Sequence, residues 1–301
     1  MNNALVDRMK LPGERQLAAR LDRAFKSAWR SYRRVFRRCQ KKLSRATVHQ
    51  LRVETRRLLA LVDLFDPLLA GDAADGVSRL FKQPFKSSGR LRDTQVMLCD
   101  VEQRLGRFPE TKRFKKSLLR REKRLGRQLE RKLRRTRLKP LKNRMDALRK
   151  ELRAAVKQAD GRRAAGVRLL KGVDRAYANV VARRHCITPA RPQAIHRTRI
   201  AFKKFRYMAE QLQPLMPGLA GGLPGKLRGH QKLMGDIHDC EMLQAALDRF
   251  VREEKSEARR LRKFRAAVKG GHATLMARYL RRADELFSFW KPAVAKPPVA
   301  S

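Results

Sequence analysis

Residues 48–58 (VHQLRVETRRL) and 195–205 (IHRTRIAFKKF) read as two copies of one amphipathic helix, so the fold has to be one that can be built twice. His49, Arg52, Arg56 and Arg57 match His196, Arg199, Lys203 and Lys204 at an offset of 147 residues. Further on, Lys82-x3-Lys86-x2-Gly89-x3-Asp93 matches Arg228-x3-Lys232-x2-Gly235-x3-Asp239 at an offset of 146. Two motifs holding register through some forty residues, with one residue of slip, imply two related halves, about 13–138 and 162–290. At about 100° per residue, His49, Arg52 and Arg56 share an arc of about 60°. Leu51, Thr55, Leu58, Val62 and Phe65 lie opposite. In the second copy His196, Arg199 and Lys203 align, Arg206 and Tyr207 extend the stripe, and Phe202, Phe205, Ala209 and Leu212 form its apolar back.

The rest of the chain is also helical in pattern. Leu, Ala, Arg, Lys and Gln dominate, and hairpin turns are missing, which predicts an all-α fold. A first helix is expected over 13–43, with Leu21, Phe25, Ala28, Tyr32, Val35, Cys39 and Leu43 inward and Arg23, Arg30, Arg34, Arg37 and Lys41 outward. Thr47 is a plausible N-cap for the next helix, which runs to about Leu69. Helices are then expected over 73–88, 90–107 and 110–138, with breaks at Pro140 and at 159–161. Others fit 162–184, 193–213, 223–234, 236–255 and 257–290, with a kink at Gly270-Gly271. Residues 1–12 read as an extension and 291–301 as a disordered tail.

Charge narrows the function. The chain carries 75 Lys and Arg against 28 Asp and Glu, a formal net charge of +47 over 301 residues. Such self-repulsion disfavours a compact state unless a polyanion supplies counter-charge. A charged helix face is commonly just solvated, but here His and cationic groups recur in register with almost no acids among them. Pro109–Lys139 is a separate basic segment, with fifteen Lys or Arg against three Glu and with Leu118, Leu125, Leu129 and Leu133 inward. It suits non-specific contact with nucleic acid, or the flanks of a long polyanion. Phe114 is its one aromatic residue, which argues against base stacking there.

Other chemistries find little support. Gly222-Leu-Pro-Gly225-Lys226 superficially resembles a phosphate-binding loop, but Ala220 occupies the early Gly position and Leu227 the Ser/Thr position. A turn between helices is the simpler reading. No Ser-His-Asp or Cys-His arrangement, carboxylate pair, metal-ligand spacing or cofactor motif stands out, so neither an enzyme nor a metal or cofactor is expected. Cys39, Cys99, Cys186 and Cys240 read as reduced and mostly buried, in keeping with a cytoplasmic protein. No apolar run approaches a membrane span or a signal peptide. Asp93 and Asp239 are read as structural, orienting Arg or His partners or capping helices.

His49-x2-Arg52-Val53-x2-Arg56-Arg57, Leu91-Arg92-Asp93, His196-x2-Arg199-x3-Lys203-Lys204-x-Arg206-Tyr207-x2-Glu210 and Gly235-x2-His238-Asp239 together resemble the CHAD family, the conserved histidine α-helical domain. The resemblance covers most of the chain. It implies two pseudo-symmetric antiparallel four-helix bundles whose basic ridges face a central cavity or pore, and binding of inorganic polyphosphate there, with possible placement at polyphosphate granules. The binding set this implies is His49, Arg52, Arg56, Arg57, Lys82, Lys86, Arg92, His196, Arg199, Lys203, Lys204, Arg206, Tyr207, Arg228, Lys232 and His238. The Glu-x-Glu-x-Lys signature of a triphosphate-tunnel domain is missing, as for a stand-alone member. The chain departs from the family in Lys203-Lys204, where an Arg pair is usual, and in His238, where the first half has Arg92. Both keep donors but weaken two-pronged phosphate contacts. A general nucleic-acid-binding architectural protein is the alternative.

Overall fold

Apolar residues spaced three and four apart give each segment one face that has to be covered, and the fold is the mutual covering of those faces. The computed structural model describes residues 13–69, 71–158, 164–187, 194–216 and 223–291, without the side chains of Glu14, Leu223 and residues 82–85. The helices are α1 (Glu14–Lys41), α2 (Arg45–Phe65), α3 (Ala73–Arg104), α4 (Lys112–Arg135), α5 (Leu138–Lys157), α6 (Ala164–His185), α7 (Ala194–Leu212), α8 (Leu223–Glu253) and α9 (Arg262–Arg282). Short 3₁₀ turns follow α2, α8 and α9 and precede α4, and no strand occurs among the described residues.

Chain neighbours pack as spatial neighbours: α1 on α2, α2 on α3 and α3 on α4, then α6 on α7, α7 on α8 and α8 on α9. The matched helices of the two copies also meet, α2 against α7 and α3 against α8. The stripe assigned inward on α1 is buried at Leu21, Phe25, Tyr32, Val35 and Cys39, and half-buried at Ala28 and Leu43. The apolar backs of α2 and α7 are buried as expected. A second core cluster joins Met97, Leu98 and Val101 of α3 and Phe114 and Leu118 of α4 to Leu243, Leu247 and Phe250 of α8 and Phe264 and Val268 of α9. Beside it Arg113 Nη1 donates to Glu257 Oε1 at 2.7 Å, tying α4 to the turn after α8.

Several boundaries differ from the sequence reading. Ser44, not Thr47, caps α2: Ser44 Oγ accepts from the Thr47 amide at 3.2 Å, and Thr47 Oγ1 accepts from the Ser44 amide at 2.8 Å. This reciprocal box places Thr47 at the third helical position. The two helices expected over 73–107 form one, α3, and those over 223–255 also form one, α8. Residues 223–227 are therefore the first turns of α8 rather than a loop, where Pro224 lacks only an amide that has no helical partner. Residues 217–222 lie outside the described residues, as do 1–12, 159–163 and 292–301 with the expectations placed on them. Pro140 likewise sits in the first turn of α5, a helix missed because proline was taken as a break. Leu141, Met145, Leu148, Leu152 and Val156 of α5 are buried against the first half, and α5 packs on α1. α9 runs through Gly270-Gly271 as one helix but ends at Arg282. All four cysteines are free, but Cys39 alone is buried, whereas Cys99 and Cys186 are exposed.

The chain after α9 closes the second half. Tyr177 donates to the Leu286 carbonyl at 3.0 Å and Trp290 Nε1 donates to Asp174 Oδ1 at 2.6 Å, both buried. The Trp290 ring meets Phe205 edge-on at 6.0 Å, on the apolar back of the second motif helix. Trp290→Ala removes this ring and its hydrogen bond and is expected to cost about 3–5 kcal/mol. Trp290→Phe, which keeps most of the ring, costs less. Chemical denaturation of the two variants checks the order.

Candidate anion-binding cleft

With their apolar backs held in the core, α2 and α7 turn their cationic stripes toward one another across a cleft of about 1500 Å³. α2 contributes His49, Arg52, Arg56 and Arg57; α3 contributes Arg92 and Asp93. From the second half come Arg199, Lys203, Arg206 and Tyr207 of α7, and Arg228, Lys232, His238 and Asp239 of α8. Eleven Arg and Lys side chains line the cleft against five Asp and Glu.

Four residues of the expected set stand apart. Lys86 is exposed away from the cleft, and the side chain of Lys82 lies outside the described residues. Lys204 turns to Asp63 of α2 at 3.1 Å, because one residue past Lys203 is a rotation of about 100° off the stripe. His196 stands behind the lining, its ring 4.9 Å from that of His238. Sequence reasoning missed Arg20, and it placed Arg23 on an outward face; both line the cleft from α1. They lie three apart with Ser27 four further on, a helical ridge whose target depended on how α1 packs.

The lining cations divide by how they are held. Arg206 is 7% exposed and committed: Nε donates to Gln231 at 2.7 Å, Nη1 donates to Glu210 at 2.8 Å, and the guanidinium covers the Tyr207 ring at 4.2 Å. Arg57 pairs with Glu54 and Lys232 with Asp236. Arg52, 9% exposed, donates to Ser88 Oγ at 3.3 Å. It lies against α3 because residue 89 is glycine: a Cβ there would sit 3.0 Å from Arg52 Nη1. Arg56 meets the Tyr207 hydroxyl. By contrast, Arg23, Arg92 and Lys203 make no hydrogen bond or ion pair among the described residues, and Arg199 Nε is buried without a partner. Neither Asp93 nor Asp239 makes a hydrogen bond or ion pair there, and both lie mid-helix, so neither is a cap.

Crowding of like charge inside a partly dry cleft shows in the acidities. Burial, then Arg56, Arg199 and Arg52, pushes the Lys203 ammonium down to about 6. Burial, then Arg56, lowers Arg52 to about 10, and burial likewise lowers Arg56 and Arg199. His49 stands exposed at the rim; partial desolvation, then Arg92, Arg56 and Arg52, holds it below the ordinary range. His196 is lowered by burial and then by His238. Burial raises the Asp239 carboxyl, opposed by Arg199. The cleft is thus a set of desolvated donors short of negative charge. Among the described residues no group of three His, Cys, Asp or Glu could hold a metal ion, and no helix is long and apolar enough to cross a membrane.

Comparison with known proteins adds a family. Residues 27–248 match the family model for the CHAD domain. Among solved structures the chain is similar to the crystal structure of the CHAD domain from the plant Ricinus communis. The two are 18% identical with a TM-score of 0.59, over 93% of this chain and 90% of that one, a likeness of fold. No curated protein matches.

The strain at Lys203 has a definite sign. Unfolded, its amine holds a proton up to about pH 10.5, whereas in the fold it loses it near 6. Between those values the unfolded chain binds more protons, so this residue's destabilising effect is largest at low pH and fades as pH rises. Lys203→Met should raise the melting temperature at about pH 7 by about 2–4 °C or more, the shift that ~1 kcal/mol gives a chain this long. The gap from wild type should narrow toward pH 10 in paired thermal scans.

Proposed function

The chain belongs to the CHAD domain family, and from that premise we propose that it is a receptor for inorganic polyphosphate, held in the cleft between α2 and α7. The observation that carries this is the meeting of two duplicated cationic stripes around one cleft, with Arg23, Arg92 and Lys203 unengaged there. A chain of phosphates has charge on every unit and no bases to be read, so a receptor needs many donors and little else. Arginine grips two oxygens with a planar fork and lysine acts as a movable point charge. In this reading the halves are two antiparallel four-helix bundles related by pseudo-symmetry, with α5 an addition to the first. His49, Arg52, Arg56, Arg92, Arg199, Lys203 and His238 contact phosphate, while Arg206 holds Tyr207 and Gln231 in place. The protein binds rather than catalyses, and through the bound chain it associates with polyphosphate granules in the cytoplasm.

A general nucleic-acid binder would instead use α4, whose exposed Arg127, Arg131 and Arg134 lie outside the cleft. Labelled polyphosphate and duplex DNA titrated at rising salt separate the two. Changing Arg56, Arg92 and Arg199 to Ala should weaken polyphosphate binding about a thousandfold or more, at roughly 1.5–3 kcal/mol per charged contact. Changing Arg127, Arg131 and Arg134 to Ala removes the same charge and should alter it only severalfold. Equal losses in the two variants would show that bulk charge, not the cleft, binds the ligand.

Proton linkage gives a second outcome. Phosphate favours the cationic forms of Lys203, His49 and His196, whose pKa values burial and the neighbouring cations lower. Binding therefore takes up protons, and affinity should rise as pH falls from about 8 to about 6. Lys203→Arg, permanently charged, should flatten part of that slope in calorimetric titrations. A wild-type affinity independent of pH across the interval would contradict the linkage.

A further inference from the structure

The two stripes differ chemically at one matched position in the cleft: α2 has Arg56 where α7 has Lys203. Lys203 makes no hydrogen bond or ion pair among the described residues. Arg52 and Arg56 of α2 and Arg199 of its own helix line the same cleft as Lys203, and Asp239 of α8 lines it too and opposes them. His196, two turns back on α7, also feels it. Lys204, next in the chain, is its natural control: its side chain is 52% exposed and paired with Asp63. An amine lodged among guanidiniums has little use for its proton, and those same guanidiniums are donors suited to phosphoryl oxygens.

We propose that Lys203 Nζ is a modification site, acylated by acyl phosphates, small mixed anhydrides of a carboxylic acid and phosphate. The arginines hold the phosphoryl group, which sets the acyl carbon beside the amine. The nitrogen lone pair adds to the carbonyl carbon, and the tetrahedral adduct collapses with cleavage of the bond from acyl carbon to phosphate oxygen. Phosphate leaves with that electron pair, and the amine proton passes to phosphate or solvent. The products are an Nε-acyl-lysine and inorganic phosphate, with no other reactant. The amide is uncharged, so acylation removes a cation from the α7 wall and weakens its hold on a long polyanion. Polyphosphate itself offers no acyl carbon; seated in the cleft, it blocks the amine and returns its proton. The inference rests on the anion-binding reading only for the holding of the phosphoryl group and for this protection.

The test is acetylation of the full chain by acetyl phosphate at about pH 7.5, followed residue by residue through peptide mass spectrometry. Lys203 should react on the order of tenfold or more faster than Lys204, whose ammonium is held by Asp63. Its rate should level off above about pH 7. A neutral acetyl ester should favour Lys203 less than acetyl phosphate does, and added polyphosphate should abolish the preference. If Lys203 reacts no faster than Lys204, or if the neutral ester favours it equally, the proposal is overturned. Failure of the polyphosphate reading would look different: the preference for Lys203 would stand while polyphosphate gave no protection.

Discussion

Everything in this fold answers to the repulsion among the desolvated cations of α2 and α7. Arg52, Arg56, Arg199 and Lys203 face one cleft; burial lowers the pKa of each, and Arg56 adds to the effect on the other three. Left to themselves these groups would drive the two helices apart. The apolar backs oppose that: Leu58, Val62 and Phe65 of α2 and Phe202, Phe205 and Leu212 of α7 are almost wholly buried in one continuous core. The uncompensated charge is thus carried by two helices whose apolar backs are anchored in the core.

The outer braces serve the same end. The aromatic cluster of Phe108, Phe114, Phe250 and Phe264 joins α4, α8 and α9 at the far end. Arg113 reaches the buried carboxylate of Glu257 beside it. At the other side Trp290 and Tyr177 lock the closing segment over Phe205. These contacts bridge elements that are remote in sequence, and they fix the separation of the walls without placing an acid among the unengaged cations. Where acids do enter the cleft, most are matched: Glu54 to Arg57, Glu210 to Arg206, Asp236 to Lys232. Asp93 and Asp239 are left to act at longer range.

What the sequence made legible follows from period and position. The stripes of α2 and α7 were readable because one face of a helix is set by a rotation of 100° per residue, whatever it packs against. The same rule, applied one residue further, separates Lys203 from Lys204; grouping them as a pair hid it, and Lys204 went to Asp63. α5 carried a visible stripe from Leu141 to Val156, but Pro140 was read as a break when it occupied a first turn that tolerates it. Gly235 and Gly89 marked where the first-half and second-half motifs realign, yet only Gly89 is pressed by a side chain, that of Arg52. Arg20 and Arg23 could not be assigned to the site from spacing. Their entry depends on the long-range docking of α1, where Arg20 donates to the Leu215 carbonyl at 2.9 Å.

The duplication is faithful in geometry and unfaithful in acidity. On the first-half wall stand Arg52, Arg56 and Arg92, guanidiniums that stay charged at any physiological pH. On the second-half wall the matched positions are Arg199, Lys203 and His238, with His196 behind. Lys203 has exchanged a permanent charge for one that can be withdrawn. A cleft with two arginine walls would keep its full charge at any physiological pH. With a lysine pushed down to about 6 on one side, the cleft sheds part of its charge near neutral pH. The exchange of Arg56 for Lys203 in the second copy therefore relieves part of the repulsion between the two walls.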